Sequence, residues 1–161
     1  MGLQVRITNP YEFMTKGEMV KACANQAYLL DVLSASNYCK KRARKQFFTD
    51  NRQATHCGRC MPCMYRKAAL VGYPDRTVYG TTINRLFREK VGDGSDDFYA
   101  MINFLKRDLT DEDIVRELIV AGMGRFENLD AYVQLVKRTR EELKCLINAE
   151  GSVELKGYIG I

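Results

Sequence analysis

Residues 56–63 read HCGRCMPC, and this stretch decides how the surrounding chain folds. Cys57, Cys60 and Cys63 are separated by two-residue gaps, so a single tight turn can aim three sulfurs at one ion about 2.3 Å from each. Gly58 eases that turn, because a residue without a Cβ tolerates unusual backbone angles. Three thiols at this spacing have no packing rationale. The motif therefore predicts a metal site.

The fourth ligand and the kind of metal follow from the other cysteines. A structural zinc site takes four ligands. Cys39, separated from Cys57 by a long basic loop, is the expected fourth, with His56 or Cys23 as alternatives. The competing interpretation is an iron–sulfur centre, because a bacterial ferredoxin motif opens with the same gaps. That motif needs a cysteine at position 67, where this chain has a lysine, so zinc is preferred.

Two further cysteines carry no metal motif. Cys145 lies among apolar neighbours in a helical pattern, and a free cysteine there usually behaves as a small core residue. The same interpretation applies to Cys23 when it is not a ligand. Both are expected in the core.

Composition and charge describe an ordinary globular protein. The chain has 161 residues, 46% hydrophobic and 28% charged, which is enough for one compact domain with its own core. No apolar run approaches the roughly 18 residues of a membrane span, and no secretory signal is present, so we expect a cytoplasmic protein. Six cysteines are then reduced thiols rather than disulfides. The net charge of +5 permits a phosphate-rich partner without requiring one.

The hydrophobic pattern predicts a mainly α-helical chain with one strand. Residues 3–8 alternate apolar and polar side chains, which indicates a strand that Asn9 and Pro10 end. Thr15 and Glu18 form a capping box for a helix whose apolar face continues from Met19 through Cys23 to Leu33.

Three more helices follow from apolar residues at steps of three and four. The first includes residues 98–105, and the second starts at Thr110. The third runs from Leu129 to a stop at Gly151. The predicted buried side of the second helix consists of Ile114, Val115, Leu118 and Ile119.

Residues 91–96 read VGDGSD, which indicates a break in the chain. We therefore divide the sequence into a zinc-binding part, residues 1–90, and a helical extension, residues 91–161, packed on it.

A basic run lies between the first two predicted ligands. Residues 40–45 include Lys40, Lys41, Arg42, Arg44 and Lys45. Such a run is either a solvated loop or a contact for nucleotide or nucleic acid, with Phe47 and Phe48 as stacking groups. His56 is the only histidine, but no serine or acidic residue lies near it in sequence, so catalysis by His56 is disfavoured.

The order of several motifs resembles a known family. Pro10 ends a strand, Lys16 starts a helix, a lone Cys39 follows, and then come residues 57–66 (CGRCMPCMYR) and 72–79 (GYPDRTVY). This order is similar to the C-terminal half of 7-cyano-7-deazaguanine synthase, an ATP-pyrophosphatase enzyme. The long loop from Cys39 to Cys57 and the sequence of residues 15–19 (TKGEM) more closely resemble the deazaguanine-synthase-like proteins of bacterial anti-phage defence.

The resemblance implies specific roles for several residues. In that family the zinc is structural, and the enzyme adenylates a 7-deazaguanine carboxylate with ATP before ammonia or an amine displaces AMP. By resemblance, Lys16 would contact an ATP phosphate, and Arg66 and Asp75 would contact a deazaguanine-type substrate. The strand at residues 3–8 would belong to a Rossmann-like (adenine nucleotide alpha hydrolase) sheet largely missing from this chain.

One departure from the family is serious. Its pyrophosphate loop, Ser-Gly-Gly-x-Asp-Ser, does not occur in this sequence. We therefore expect the chain to be inactive alone and to need a polypeptide that carries this loop, either a separate subunit or a removed N-terminal half, before ATP binds. The alternative is a non-catalytic zinc module that binds nucleic acid or a protein through residues 40–45.

Overall fold

The computed structural model describes residues 5, 8–44, 46, 48–89, 96–122 and 128–161 and shows a mainly helical protein. A short 3₁₀ turn covers Leu33–Ala35 between the second and third helices. The helices are α1 (Lys16–Lys21), α2 (Gln26–Val32), α3 (Met61–Ala69), α4 (Ile83–Glu89), α5 (Asp96–Lys106), α6 (Asp111–Val120), α7 (Leu129–Glu150) and α8 (Val153–Ile159).

The described ranges contain no β-strand. The predicted strand falls mainly on Leu3, Gln4, Arg6 and Ile7, which lie outside them. The one isolated bridge in these ranges pairs His56 with Tyr79. The expectation of a Rossmann-like sheet therefore has no support in this structure. Most of the predicted break at residues 91–96 also lies outside the described ranges, which resume at residue 96.

The N-terminal helix begins as predicted but ends earlier. The Thr15 hydroxyl accepts from the Glu18 N–H, and the Glu18 carboxylate accepts from the Thr15 N–H, which completes the capping box. The prediction of one helix reaching Leu33 is wrong, because α1 stops at Lys21. The side chain of Asn25 then caps a separate α2 by accepting from the Tyr28 N–H at 2.9 Å.

Helix α7 is the centre of the core. Its 22 residues span about 33 Å, long enough to pack against α3, α5, α6 and α8. Gly151 ends it, as predicted. The buried cluster combines residues from both sides of position 90, so the two predicted parts share one core. Its members are Met64, Ala68, Ile83, Leu86, Phe98, Met101, Ile102, Leu105, Leu143, Leu146, Ile147, Leu155 and Ile159.

Helices α5 and α6 confirm the predicted pattern with one correction. Thr110 caps α6 through a capping box with Asp113. Ile114 is buried on that helix, but Ile119 is 44% exposed and does not belong to the core. The short α6 packs mainly against α7, so only the residue at the centre of the contact is fully covered.

The core prediction for two cysteines is wrong. Cys145 is exposed, because the nearby buried positions of α7 are Leu143, Leu146 and Ile147 and position 145 faces away from them. Cys23 is half-buried in the connection after α1. Arg140 takes an unexpected buried place on α7, where it donates to the Leu105 and Arg107 carbonyls at the end of α5.

Candidate metal centre

The four predicted cysteines come together from three segments. Cys39 lies in the loop after the 3₁₀ turn, and Cys57 follows the residue that bridges to Tyr79. Cys60 is the N-cap of α3, and Cys63 lies in its first turn. The helix therefore fixes two ligands rigidly and the loops bring in the other two.

The sulfur positions form a compact group. All four Sγ atoms lie within 4.8 Å of one another. The Sγ of Cys63 lies 3.4 Å from that of Cys60 and 3.8 Å from that of Cys57. Cys57, Cys60 and Cys63 are fully buried, and Cys39 is partly exposed. This group of thiols can hold a metal ion.

Gly58 makes the turn between the first two ligands of the motif. Its φ is +75°, in the left-handed region that favours glycine. A Cβ built there would lie 2.3 Å from the backbone oxygen of Thr81. Both the conformation and the close approach require glycine, which agrees with the sequence expectation.

Backbone N–H groups point at the sulfurs. The Cys57 N–H donates to the Sγ of Cys39 at 3.2 Å, and the N–H groups of Arg59 and Cys60 donate to the Sγ of Cys57 at 3.4 Å. Such donors favour the thiolate form, which is the form that binds metal. The backbone of the motif is therefore arranged for negatively charged sulfur.

The close packing of the four thiols shifts their pKa values in opposite directions. Hydrogen bonds from the Cys57 thiol, and then from those of Cys60 and Cys63, hold the pKa of Cys39 below its ordinary value. The pKa of Cys63 is raised, first by its contact with Cys39 and then by Cys57 and Cys60. The pKa of Cys60 is also lowered, to about 6, and that of Cys57 is raised, so two protons leave easily and the loss of the other two is opposed, as expected for interacting sites. A bound cation would remove this opposition.

Neither alternative ligand joins the group. The metal-ligating group found in the described residues consists of the four cysteines only. Cys23 lies in a separate cavity, where its thiol contacts the Asn25 carbonyl oxygen at 3.6 Å. His56 is fully buried, and its Nδ1 contacts the Thr55 hydroxyl at 2.9 Å. Burial, and then the charge of Arg66, lower the pKa of His56.

A second, smaller cluster surrounds the cysteines. Phe48 and Ala54 are buried against them, with Tyr79 packed beside the cluster. Phe48 is 1% exposed and its ring lies against Gly80. A Cβ added to Gly80 would lie 2.4 Å from the Phe48 ring. The prediction of Phe48 as a stacking group for nucleic acid is therefore wrong. Phe47 and Lys45 lie outside the described residues.

Arg66 and Asp75 lie side by side behind the cysteines. The Arg66 guanidinium donates to the Ser36 hydroxyl at 2.7 Å, the Leu33 carbonyl at 2.6 Å and the Thr77 hydroxyl at 2.8 Å. The Asp75 carboxylate lies 4.0 Å from it. Arg66 thus joins segments that are distant in sequence. The sequence did not reveal this role, because the acceptors of Arg66 are up to 33 residues away.

Asp75 is held in a tight turn of its own. Its carboxylate accepts from the Thr77 N–H at 2.9 Å and from the Tyr79 hydroxyl at 2.7 Å. Although burial opposes the charge, the contacts with Thr77, Tyr79 and Arg66 leave the pKa of Asp75 below its ordinary value. Burial, and then the hydrogen bond to the Asp75 carboxylate, raise the pKa of Tyr79.

Lys16 and Arg66 line one cavity of about 580 Å³. The Lys16 Nζ lies 4.1 Å from the ring centre of Tyr38. The backbone donors at the start of α1 are already engaged, since the Gly17 N–H donates to the Glu142 carboxylate and the Glu18 N–H donates to Thr15. A ligand in this cavity would therefore meet the Lys16 side chain rather than the helix backbone.

The basic loop is open to solvent. Lys40, Arg42 and Arg44 are exposed, and Lys41 is half-buried. No helix among the described residues combines the length and apolar character needed to cross a membrane. No family model, curated protein or solved structure matches this chain.

Proposed function

We propose that this chain binds one structural zinc ion through Cys39, Cys57, Cys60 and Cys63 and forms the zinc-bearing portion of an ATP-dependent 7-deazaguanine ligase. The observation that carries the zinc assignment is the group of four sulfurs within 4.8 Å of one another. The ligase assignment rests on the motif resemblance and on the cavity shared by Lys16 and Arg66.

The sulfur spacing favours a single ion. Four sulfurs about 2.3 Å from a tetrahedral centre lie about 3.8 Å apart. The distances of 3.4 and 3.8 Å from Cys63 to its neighbours are close to this value. In an iron–sulfur cluster the four thiolates are distributed over two or more iron atoms, and sulfurs bound to different irons lie farther apart than those around one ion. The compact group therefore supports zinc.

The zinc would have a structural role. Four thiolates complete the coordination shell and leave no position for a water nucleophile or substrate. Three of the ligands are fully buried, so solvent reaches the site only beside Cys39. The ion would tie the loop at Cys39 and the turn at Cys57 to the start of α3.

The ligase part of the proposal concerns a different surface. Lys16 and Arg66, which the resemblance assigns to ATP phosphate and substrate, both line the 580 Å³ cavity, a volume within the range of small-molecule sites. Because the sequence has no Ser-Gly-Gly-x-Asp-Ser loop, a partner polypeptide must supply the remaining phosphate contacts. The acceptor amine is then ammonia or a group on another molecule.

Metal analysis tests the zinc assignment. Purified protein, dialysed and analysed by inductively coupled plasma mass spectrometry, is expected to contain one zinc per chain. Cys60→Ser should lose most of it, while Cys145→Ser should retain it because Cys145 is exposed and outside the group. Iron with acid-labile sulfide in place of zinc would contradict the proposal.

Calorimetric titration tests the ligase assignment. ATP and 7-carboxy-7-deazaguanine are titrated into the zinc-loaded chain alone and mixed with a polypeptide that carries the pyrophosphate loop. We expect binding only in the mixture, weakened by Lys16→Ala and unchanged by Lys21→Ala on the same helix. Absence of binding in the mixture would contradict it and leave the zinc module as the function.

The exposed cations at residues 40–44 support a second candidate, a zinc module that binds nucleic acid. Phosphate contacts make such binding strongly salt-dependent. Gel-shift assays with RNA and DNA, using Lys40, Arg42 and Arg44 changed together to Ser, separate the candidates. Binding that disappears in the triple variant and weakens steeply with salt would favour this function.

A further inference from the structure

The cavity beside α1 and α2 combines an apolar lining with two positively charged side chains. Its lining is largely apolar, and includes Val20, Leu29, Leu33 and Leu70. Among the described residues that line it, two carry positive charge and none is an aspartate or glutamate. A cavity of about 580 Å³ with apolar walls and convergent polar groups is typical of a small-molecule site.

Both cations that line the cavity contact the segment of residues 36–38. Lys16 contacts the ring of Tyr38, and Arg66 donates to the hydroxyl of Ser36. Because two residues of chain span at most about 7 Å, Ser36 and Tyr38 bring both cations to one short segment. The positive charge is therefore concentrated near residues 36–38, and the apolar side chains of α1 and α2 form the rest of the wall.

The charge near residues 36–38 is only weakly compensated. Asp75 lies 4.0 Å from the Arg66 guanidinium, and within the described part of the chain no carboxylate forms an ion pair with Lys16. Lys16 is half-buried, and its Nζ lies 4.1 Å from the centre of the Tyr38 ring, which attracts the cation without neutralising its charge. A ligand with one negative charge would complete the site.

Helix α2 leaves its apolar side chains available to a ligand. The helix has no fully buried residue, although its sequence includes Leu29, which lines the cavity. Burying an apolar chain against such side chains stabilises a complex by about 25 cal/mol per Å² of apolar surface removed from water.

We propose that this cavity binds an amphipathic anion: a medium-length aliphatic chain lies along α1 and α2, and its terminal carboxylate contacts Lys16 near Arg66. This ligand would occupy the cavity that the proposed function assigns to ATP phosphate and substrate. The inference does not depend on the ligase assignment, because it concerns the chain alone, to which the proposed function expects no ATP to bind. The carboxylate accepts hydrogen bonds from the Lys16 ammonium, and Arg66 supplies a nearby positive potential.

Calorimetry with a matched set of ligands tests the charge requirement. The zinc-loaded chain is titrated with decanoate, with decanol and with decyltrimethylammonium, each below its micelle concentration. We expect decanoate to bind at least tenfold more tightly than the neutral or cationic compound, as for a hydrogen bond to a charged group. Equal binding of decanol would overturn the proposal.

Variants of α1 test the placement of the ligand. Lys16→Ala should weaken decanoate binding about tenfold or more, whereas Lys16→Arg should retain most of it. Lys21→Ala is the matched control, since Lys21 is an exposed lysine on the same helix and does not line the cavity. Val20→Thr, which keeps the size of the wall but adds a hydroxyl, should also weaken binding. Unchanged affinity in both Lys16→Ala and Val20→Thr would refute the site.

Cys23 provides a second readout within the cavity. Its half-buried thiol lines the wall, so a bound chain should slow its alkylation by iodoacetamide several-fold. The measurement uses the Cys145→Ser chain and peptide mass spectrometry to follow Cys23 alone. An unchanged rate at saturating decanoate would overturn the proposal. Tighter binding of 7-carboxy-7-deazaguanine than of decanoate to the chain alone would also overturn it, while leaving the zinc assignment intact.

Discussion

The backbone N–H of Cys57 donates to the Sγ of Cys39 across 3.2 Å, although the two residues are 18 positions apart. The contact joins the basic loop to the start of the cysteine motif. Cys39 is also the ligand with the most solvent exposure of the four. The loop and the metal site are therefore coupled, and the first prediction follows from that coupling.

Metal removal should loosen the loop from residue 40 to residue 56. Treatment with a chelator is expected to accelerate tryptic cleavage after Lys40, Arg42 and Arg44, because the anchor at Cys39 is lost. Cleavage within α7 serves as the internal reference, and re-addition of zinc should restore protection. Mass spectrometry of the fragments measures both rates. Equal acceleration in the loop and in α7 would indicate global unfolding instead.

Gly58→Ala should strongly destabilise the metal site. The left-handed backbone costs about 1–2 kcal/mol for a residue with a Cβ, and the contact with the Thr81 oxygen adds to it. We expect a loss of roughly 2–5 kcal/mol in the free energy of unfolding, measured by urea denaturation of the zinc-loaded protein.

Gly72→Ala is the matched control for that substitution. Its φ is +86°, but a Cβ there would have no neighbour within 4 Å. Only the backbone cost of about 1–2 kcal/mol then applies. If both variants lost the same stability and the same zinc affinity, the close approach of Gly58 to Thr81 would have no energetic role.

Arg66→Lys should destabilise the protein even though the charge is retained. An ammonium group cannot reproduce the planar donors that serve Ser36, Leu33 and Thr77 together. We expect a loss of about 1–3 kcal/mol, because at least one buried acceptor would lose its partner. Thermal unfolding followed by circular dichroism measures the change, and Arg76→Lys is a control in the same segment. A melting temperature equal to that of the parent would contradict this role.

Glu18→Ala should produce a pH-dependent loss of stability. The Thr15 N–H that donates to the Glu18 carboxylate, with Arg138 nearby, holds its pKa below the ordinary value of 4.5. The contribution is therefore present above pH 4.5 and is lost as the pH falls through the lowered pKa. At pH 7 we expect about 0.5–1 kcal/mol, a modest value because the side chain is partly exposed.

Urea denaturation at several pH values measures this effect. The difference between the parent and Glu18→Ala should shrink between pH 5 and pH 3, roughly the window around the carboxyl pKa. Glu141→Ala, which removes an exposed surface pair with Lys144, should change stability little at any pH. A difference that stayed constant with pH would show that the Glu18 carboxylate contributes through packing and not through its charge.

The sequence predicted the helices with clear periodicity and the four cysteines, and it failed where distant contacts decide the structure. Apolar spacing continued through residues 22–25, so one helix was expected, but Asn25 caps a new helix there. Cys145 lies next to apolar residues in sequence, yet it points away from the buried stripe. The partners of Arg66 could not be inferred, because they come from segments that only the fold brings together.

A metal ion held by Cys39 and Cys57 would act as a removable crosslink in the chain. Such a crosslink lowers the conformational entropy of the unfolded chain. For a 15-residue loop closed by a disulfide, this effect stabilises the folded protein by about 3 kcal/mol, and the loop here is of similar length. The cost of loop closure rises only slowly, by about 0.6 kcal/mol for each doubling of length. The exposed part of this segment, around Arg42 and Arg44, can therefore gain residues, or an inserted peptide, at a small thermodynamic cost.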